Sequence, residues 1–212
     1  MNDSQLHPNP NPDMTLDERS VDPNPLRFFR RWFDEAIASG SRLPDSMTLA
    51  TATKEGRPSA RMVLLKQVDE KGFVFYTNYN SRKAADLVAN PRAAIVFHWP
   101  TLERQLRVEG RVEKLSRRDS ERYFQTRPRE SRVSAWASPQ SARISGRAFL
   151  EEEFARVQTR FGDRKIPCPP FWGGFKIVAN CIEFWQGQPH RLHDRLLYQK
   201  KGNRWAVFRL GP

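Results

Sequence analysis

The segment "ERQLRVEGRVEKL", residues 103–115, alternates apolar and polar side chains over most of its length. The two sets project to opposite faces, with Leu106, Val108 and Val112 on one and Gln105, Arg107, Glu109 and Arg111 on the other. A period of two is typical of a strand with one buried face. Gly110 interrupts the alternation and indicates a bulge or a bend within that strand.

Similar short runs of β-branched and aromatic residues lie on both sides of this segment, bounded by Gly, Pro, Asn or Asp. They are "SMTLATATK", "ARMVLLKQV", "GFVFYTN" and "AAIVFHW" before it, and "GGFKIVANCIEFWQ", "RLLYQK" and "RWAVFRL" after it. The "DEKG" at 69–72 between two of these runs predicts a hairpin turn. Many short strands of this kind favour an antiparallel barrel.

Helical patterns are fewer and lie between the predicted strands. Apolar residues recur at three- and four-residue spacing over 26–37, and the other helical segments are "AADLVAN", "SRRDSERYFQTR", a short stretch after Pro128, and "LEEEFARVQTRF". The combination predicts an α+β fold, an antiparallel barrel with peripheral helices, formed by one domain over residues 25–212. Residues 1–24 contain "HPNPNPD", a Pro/Asn-rich composition that predicts a mobile arm.

The chain is strongly basic, with a formal net charge of +12 over 212 residues. Arginine accounts for 27 of the 36 basic residues, and its planar guanidinium grips phosphate or carboxylate with two hydrogen bonds. Nucleic acid, small phosphorylated ligands and a solvated arginine-rich surface all fit this bias. No Lys/Arg run exceeds two residues, which argues against a nucleic-acid-binding tail.

Several other classes of protein are disfavoured. The sequence has no apolar stretch of the ~20 residues that span a bilayer and no secretory signal at its start, so we expect neither membrane insertion nor secretion. Cys168 and Cys181 form no metal or redox motif, which favours a reduced, cytoplasmic setting. His190 and His193 are too few to bind a metal without further ligands, so no metal site is predicted.

Two motifs are candidates for anion binding, and for the first of them a solvated helix start fits equally well. In "SRK", Ser81 is expected to cap a helix whose first turn carries Arg82 and Lys83. Positive charges at a helix N-terminus are opposed by the helix dipole, unless an anion binds there. In "YFQTRPRES", Tyr123, Arg127 and Ser131 are spaced by four. Proline at 128 should end the first helix and leave Ser131 near the start of the next. The side chains of Tyr123, Arg127 and Ser131 would then surround a phosphate at this helix start.

A third cluster is "HRLHDR", residues 190–195, which follows an aromatic strand. If the segment is extended, Arg191, His193 and Arg195 share one face and are directed towards one ligand. Asp194 then lies on the opposite face and is expected to be a structural partner rather than a catalytic group.

Nine motifs in order resemble the pyridoxine/pyridoxamine 5′-phosphate oxidases. They are "RMVLLK", "FYTN", "SRKA", "ERQLRVEGRVEKL", "YFQTRPRES", "WASPQS", "PPFWGGF", "IEFWQG" and "HRLHDRLLYQ". The resemblance implies an FMN-binding split β-barrel and a homodimer with FMN at the subunit interface. It also implies oxidation of pyridoxine 5′-phosphate or pyridoxamine 5′-phosphate to pyridoxal 5′-phosphate. Hydride would pass from substrate C4′ to flavin N5, with O2 as acceptor giving H2O2, and NH3 released from the amine.

The resemblance also implies roles for individual residues, part of each site coming from the second subunit. The flavin would contact Arg61, Met62, Val63, Leu64, Leu65, Lys66, Tyr76, Thr77, Arg82, Lys83, Gln105, Gln140, Ser141, Trp185 and Arg195. The substrate would contact Lys66, Tyr123, Arg127, Ser131, Arg191 and His193. Arg191 and His193 would be the catalytic residues, with Arg191 holding the reacting carbon and stabilising developing charge.

One feature departs from the family pattern. The family has an N-terminal Arg and a nearby Tyr that close over the substrate, and "HPNPNPD" contains neither. A flavin oxidase of the same fold acting on another substrate, such as a phenazine precursor, therefore stays an alternative. A non-catalytic binder of nucleic acid or pyridoxal phosphate is the third alternative.

Overall fold

A computed structural model describes residues 15–212, which form nine antiparallel strands and five α-helices. The helices are α1 Pro25–Ala38, α2 Arg82–Ala89, α3 Arg117–Thr126, α4 Arg129–Ala137 and α5 Arg147–Phe161. The strands are β1 Ser46–Ala52, β2 Pro58–Leu64, β3 Gln67–Asp69, β4 Gly72–Asn78, β5 Arg92–Trp99, β6 Arg104–Lys114, β7 Trp172–Gln186, β8 Asp194–Lys201 and β9 Arg204–Arg209. Every predicted helix and strand segment is present, including the 69–72 hairpin, but the run "ARMVLLKQV" is divided into β2 and β3.

The strands form one curled sheet in the order β2-β1-β5-β6-β7-β4-β3. Only Leu65 and Lys66 separate β2 from β3, yet β2 pairs with β1 whereas β3 pairs with β4 at the other end of the order. The backbone N–H of Lys66 donates to Val74 O at 2.8 Å and continues the ladder to β4. The sheet therefore closes on itself at this crossover, which confirms the predicted α+β antiparallel barrel.

The barrel is split along β7. One edge of this 15-residue strand pairs with β6, while the other edge pairs with β4 in its first half and with β8 in its second half. A register shift follows Glu109, where Gly110 pairs with Ala179. The extra residue is Asn180 of β7, so the irregularity predicted at Gly110 is present but the bulge lies in the partner strand, and the bend lets β7 leave the barrel to pair with β8.

Helix α1 covers one end of the core with aromatic side chains. Phe28 stacks on Phe184 of β7 at 4.2 Å, and Trp32 packs edge-on against the same ring at 5.0 Å. Arg104, only 1% exposed, lies over the Trp32 ring, pairs with Glu35 and donates to Gln186 Oε1. The periodicity over 26–37 therefore predicted most of the buried face, although Ile37, within the pattern, is 53% exposed and Phe28, outside it, is buried.

The N-terminal segment differs in part from the mobile arm predicted for residues 1–24. Residues 1–14, with "HPNPNPD", lie outside the described part of the chain. Leu16 is buried and its N–H donates to Asp194 Oδ2 at 3.1 Å, while Arg209 pairs with both Glu18 and Asp194. Composition did not predict the contacts of Leu16 and Glu18 because each joins residues more than 170 positions apart.

We predict that Gly110→Ala destabilises the protein by about 1–3 kcal/mol, because a Cβ there would lie 2.2 Å from the backbone oxygen of Val178. Urea unfolding followed by circular dichroism measures the change. Gly211→Ala is the matched control, since a Cβ there meets nothing within 4 Å. Equal stability of the two variants would contradict a close approach of the strands at the bulge.

Candidate functional site

A cavity of about 450 Å³ lies between the β2–β4 side of the barrel and helices α3 and α4. Its lining is Met62, Val63, Leu64, Lys66, Tyr76, Thr77, Asn78, Lys83, Tyr123, Arg127, Ser134, Ala135, Ser138, Gln140 and Trp172. Ten of these residues are sequence-predicted contacts of flavin or substrate. Leu65, also predicted, is buried in the core, and Ser131 lies in the first turn of α4 but not in the lining.

One wall of this cavity is a flat aromatic surface. The ring of Tyr76 stacks on that of Tyr123 at 3.9 Å and on that of Trp172 at 5.3 Å, with interplanar angles of 15° and 9°. Burial, followed by the nearby Tyr123, raises the pKa of Tyr76 to about 12, so its hydroxyl stays protonated at neutral pH. This wall offers stacking area to a planar ring without introducing a negative charge.

Arg127 lies beside that wall with part of its guanidinium unsatisfied. Proline at 128 ends α3, and Arg127 takes an extended conformation with its guanidinium 4.7 Å from the centre of the Trp172 ring. Its Nη1 is buried and has no hydrogen-bond partner among residues 15–212. Burial lowers the pKa of Arg127. A buried, unpaired guanidinium edge in a cavity favours an oxyanion, which would satisfy it with charge-assisted hydrogen bonds.

A second group of cations lies around the start of α2. Lys83 Nζ donates to Thr77 Oγ1 at 3.2 Å and to Gln140 Oε1 at 3.1 Å, both neutral acceptors. Burial and the charge of Arg61 lower the pKa of Lys83. Burial lowers the pKa of Arg61, Asp86 at 3.9 Å opposes that shift, and the charge of Arg82 adds to it. The positive charges therefore repel one another, and an anion bound among them would relieve that repulsion.

Ser81 occupies the predicted N-cap position of α2, but the side-chain capping bond is missing. Its hydroxyl donates to the backbone oxygen of Asn78 at 2.7 Å, and its side chain makes no capping bond to α2. The tight turn before the helix uses the hydroxyl instead. The adjacent first turn still carries Arg82 and Lys83 as predicted.

A second cavity, of about 640 Å³, adjoins the first. Arg82, Gln140 and Ser141, all predicted flavin contacts, line it together with aromatic side chains such as Trp136. Gln140 lines both cavities, so its amide forms part of the wall between them. Ser141 has a φ of +72°, a left-handed conformation that non-glycine residues adopt at a cost in strain.

The remaining predicted residues form a separate group at the far end of β7. Gln105, Trp185 and Arg195 are neighbours across β6, β7 and β8, and the His193 ring lies 4.6 Å from that of Trp185. Trp172 and Trp185 are 13 positions apart on β7, or about 40 Å of extended strand. Within one protomer the structure therefore does not bring this group to the cavity.

The extended conformation predicted through "HRLHDR" is wrong for its first half. Residues Pro189–Arg191 form a 3-10 turn in which His190 and Arg191 have φ values of 58° and 60°. Strand β8 begins only at Asp194, so the two-residue alternation does not extend back to Arg191. The left-handed turn rotates Arg191 out of phase with the strand.

Asp194 and Arg195, at the start of β8, both form ion pairs within the protomer. The structural role of Asp194 is confirmed, because its carboxylate accepts from Leu16 N–H, Gln188 Nε2 and Arg209 Nη1. Arg195, a predicted flavin contact, pairs with the buried Glu183 through its Nε at 2.8 Å.

His193 has a defined orientation in this turn. Its Nδ1 accepts a hydrogen bond from the backbone N–H of Gln188 at 3.1 Å, which leaves the proton of the neutral ring on Nε2. Burial and the charge of Arg191 lower the pKa of His193, and Glu103 opposes them. The ring is therefore neutral at pH 7 and offers Nε2–H as a donor.

The sequence reasoning missed Trp172 as a site residue. Its signal was the "FWGG" within "PPFWGGF", an aromatic residue followed by two glycines at the start of a strand. A Cβ at Gly173 would lie 2.1 Å from the Tyr79 hydroxyl, so the first glycine allows the close packing around this end of the strand.

Two family models match the chain. "Pyridoxamine 5'-phosphate oxidase" matches residues 33–161, and "Pyridoxine 5'-phosphate oxidase C-terminal dimerisation region" matches residues 172–212. Proteins named pyridoxine/pyridoxamine 5′-phosphate oxidase are similar over most of their length. That of Cyanothece sp. is 52% identical, covering 93% of both chains, and that of Burkholderia lata is 54% identical, covering 93% of this chain and 94% of its own.

Solved structures agree in fold. PhzG from Burkholderia lata 383, in complex with tetrahydrophenazine-1-carboxylic acid, has a TM-score of 0.89 at 28% identity, covering 94% of this chain and 98% of its own. A pyridoxamine 5′-phosphate oxidase-related, FMN-binding protein from Nostoc punctiforme has a TM-score of 0.70 at 18% identity, covering 91% and 99%.

Fold and matches together define an oxidoreductase of the flavin-binding split-barrel class. The chain belongs to the pyridoxamine 5′-phosphate oxidase family, which confirms the resemblance carried by the nine motifs. Within residues 15–212 no helix is long and apolar enough to cross a membrane, and no three His, Cys, Asp or Glu side chains cluster as metal ligands would.

We predict that NMR titration of His193 gives a pKa below the ordinary histidine value of 6.5. Arg191→Met should raise the pKa of His193, because it removes a nearby positive charge. Because the folded pKa lies below the unfolded one, protonation of His193 opposes folding, and its contribution to stability declines as pH falls through about 6.5. Arg204→Met, on β9, is the control and should leave the titration unchanged. A His193 pKa above 6.5 would contradict the assignment.

Proposed function

We propose that the protein oxidises pyridoxine 5′-phosphate and pyridoxamine 5′-phosphate to pyridoxal 5′-phosphate with bound FMN, using O2 as acceptor. The observation that carries this proposal is the unsatisfied guanidinium of Arg127 beside the Tyr76–Trp172 stack. A phosphate group would satisfy the guanidinium, and Lys66 in the same lining supplies a further cation. The named relatives support the same substrates.

The chemistry of the cavity fits FMN. Lys83 of this cavity and Arg82 of the adjoining one, together with the neighbouring Arg61, are cations suited to the FMN phosphate. Strands β2 and β4 present Val63 and Tyr76 to a flat ring. When bound, FMN supplies the two-electron acceptor for oxidation at C4′ and is reoxidised by O2, giving H2O2. The chain itself contributes binding, orientation and electrostatics.

We further propose that a homodimer completes each site. The cavity and the Trp185 group lie at opposite ends of β7, so residues from a second copy are needed to bring the two sets of predicted contacts together. The match of residues 172–212 to a dimerisation region supports this arrangement. In the dimer, Gln105, Trp185 and Arg195 of one protomer would meet the flavin held by its partner.

Arg191 and His193 would reach the substrate from that same end of β7. The guanidinium of Arg191 would hold the reacting carbon in place and stabilise charge that develops on the substrate. His193, neutral and with its Nδ1 occupied by the Gln188 N–H, would donate a hydrogen bond through Nε2. We therefore assign His193 to orienting the substrate rather than to accepting a proton through Nε2.

A phenazine-type oxidase is the second candidate. The similarity to PhzG and the absence of the expected Arg and Tyr from "HPNPNPD" favour it. The Arg127–Lys66 pair of cations favours phosphorylated substrates, because a phosphate carries more charge than a carboxylate. Identities of 52–54% to the named oxidases, against 28% to PhzG, favour them too.

A comparison of substrates tests the proposal. Purified, FMN-loaded protein is given pyridoxine 5′-phosphate, pyridoxamine 5′-phosphate or a dihydrophenazine carboxylic acid in aerated buffer, and H2O2 and the oxidised product are quantified. We expect turnover of both vitamin phosphates with kcat/KM at least ten-fold above that for the phenazine precursor. Faster oxidation of the phenazine precursor would transfer the assignment to the second candidate, and protein that binds no FMN would refute both.

Lys83→Ala should weaken FMN binding by about ten-fold or more, because it removes a cation that a phosphate would use for a charge-assisted hydrogen bond. Flavin fluorescence quenching on titration of apoprotein measures the dissociation constant. Lys165→Ala, which replaces a lysine after α5 outside both cavities, is the control. Unchanged flavin affinity of Lys83→Ala would remove Lys83 from the FMN site.

A further inference from the structure

One of the cations predicted to bind the substrate phosphate, Lys66, already forms an ion pair with a carboxylate. Lys66 Nζ lies 2.8 Å from Asp45 Oδ2, and the two side chains are 28% and 27% exposed. Lys66 also lines the 450 Å³ cavity, whereas Asp45 is not in its lining. The ion pair therefore holds the ammonium at the edge of the proposed phosphate site.

Both partners have backbones fixed by the barrel. Asp45 directly precedes β1, and its carbonyl accepts from the N–H of Leu65 at 2.8 Å. The preceding carbonyl, of Pro44, accepts from Trp99 Nε1 at 3.1 Å. Lys66 is fixed through its own N–H to Val74. The short aspartate side chain therefore has little freedom to move away, while the long lysine side chain can turn into the cavity.

We propose that Asp45 limits the affinity of the site for anions, because its carboxylate competes with the substrate phosphate for Lys66. This inference rests on the proposed function of the cavity. A phosphate carries about −1.5 to −2 charges at neutral pH, so it must either displace the carboxylate from the ammonium or share the ammonium with a like charge. Either outcome weakens phosphate binding relative to a site with a free lysine.

The effect depends on ligand charge. An unphosphorylated ring gains nothing from Lys66, so it leaves the ion pair intact and is unaffected by Asp45. Asp45 lowers the affinity of the site for a phosphorylated substrate, and it lowers the affinity for the phosphorylated product in the same way. Asp45 therefore favours release of product from a site that otherwise combines Arg127, Lys66 and an aromatic stack.

The test compares wild type, Asp45→Asn and Asp69→Asn, all loaded with FMN. Asp69 forms the other aspartate–lysine pair of this region, with Lys176 Nζ, and neither residue lines a cavity, so Asp69→Asn controls for loss of an ion pair alone. Isothermal titration with inorganic phosphate measures affinity, and steady-state kinetics with pyridoxine 5′-phosphate measures KM. Asp45→Ser, also uncharged, replaces Asp45→Asn if the latter fails to fold.

We expect Asp45→Asn to bind inorganic phosphate about two- to five-fold more tightly than wild type and to lower KM by a similar factor. Asp69→Asn should match wild type, and inhibition by unphosphorylated pyridoxine should be equal in all three proteins. Equal or weaker phosphate binding by Asp45→Asn would overturn the inference and make Asp45 a positioning group for Lys66. Wild-type protein that neither binds phosphate nor oxidises the phosphorylated substrate would overturn the proposed function together with the inference.

Discussion

The pairing of β7 with three neighbours is the constraint on which the rest of the structure depends. Its first half closes the barrel through β4 and its second half leaves the barrel to pair with β8. That division is possible because the strand bends opposite Gly110, where no side chain occupies the space between the two backbones. It also puts Trp172, which lines the cavity, and Trp185, a predicted flavin contact, at opposite ends of one strand.

Two cations of the candidate site, Lys83 and Arg127, have no carboxylate partner among residues 15–212, in contrast to Lys66, which pairs with Asp45. Lys83 donates only to neutral oxygens and Arg127 leaves a buried nitrogen unsatisfied, whereas Arg104 in the core is paired with Glu35. A buried cation without a carboxylate is expensive in an isolated protein, since desolvation opposes its charge. A bound ligand that supplies the missing negative charge would offset this desolvation cost.

The sequence predicted the elements and ten residues of the cavity lining but not the geometry around them. Period-two alternation predicted β6 and the irregularity at Gly110 because the periodicity is local, and proline at 128 correctly ended α3 before Arg127. The errors were at turns: Ser81 hydrogen-bonds backwards instead of capping, and Arg191 lies in a left-handed turn. Alternatives in such segments differ by one or two hydrogen bonds, and residues far away in the sequence decide among them.

The crossover at Lys66 has a thermodynamic consequence. The same residue joins the two edges of the barrel through its N–H and faces the cavity through its side chain. Any ligand held by that side chain binds only the closed barrel, so occupancy of the cavity and integrity of the fold are linked. Local opening at the junction of β2 and β3 should therefore become rarer as ligand is added, and amide hydrogen exchange there would report on ligand binding without observing the ligand.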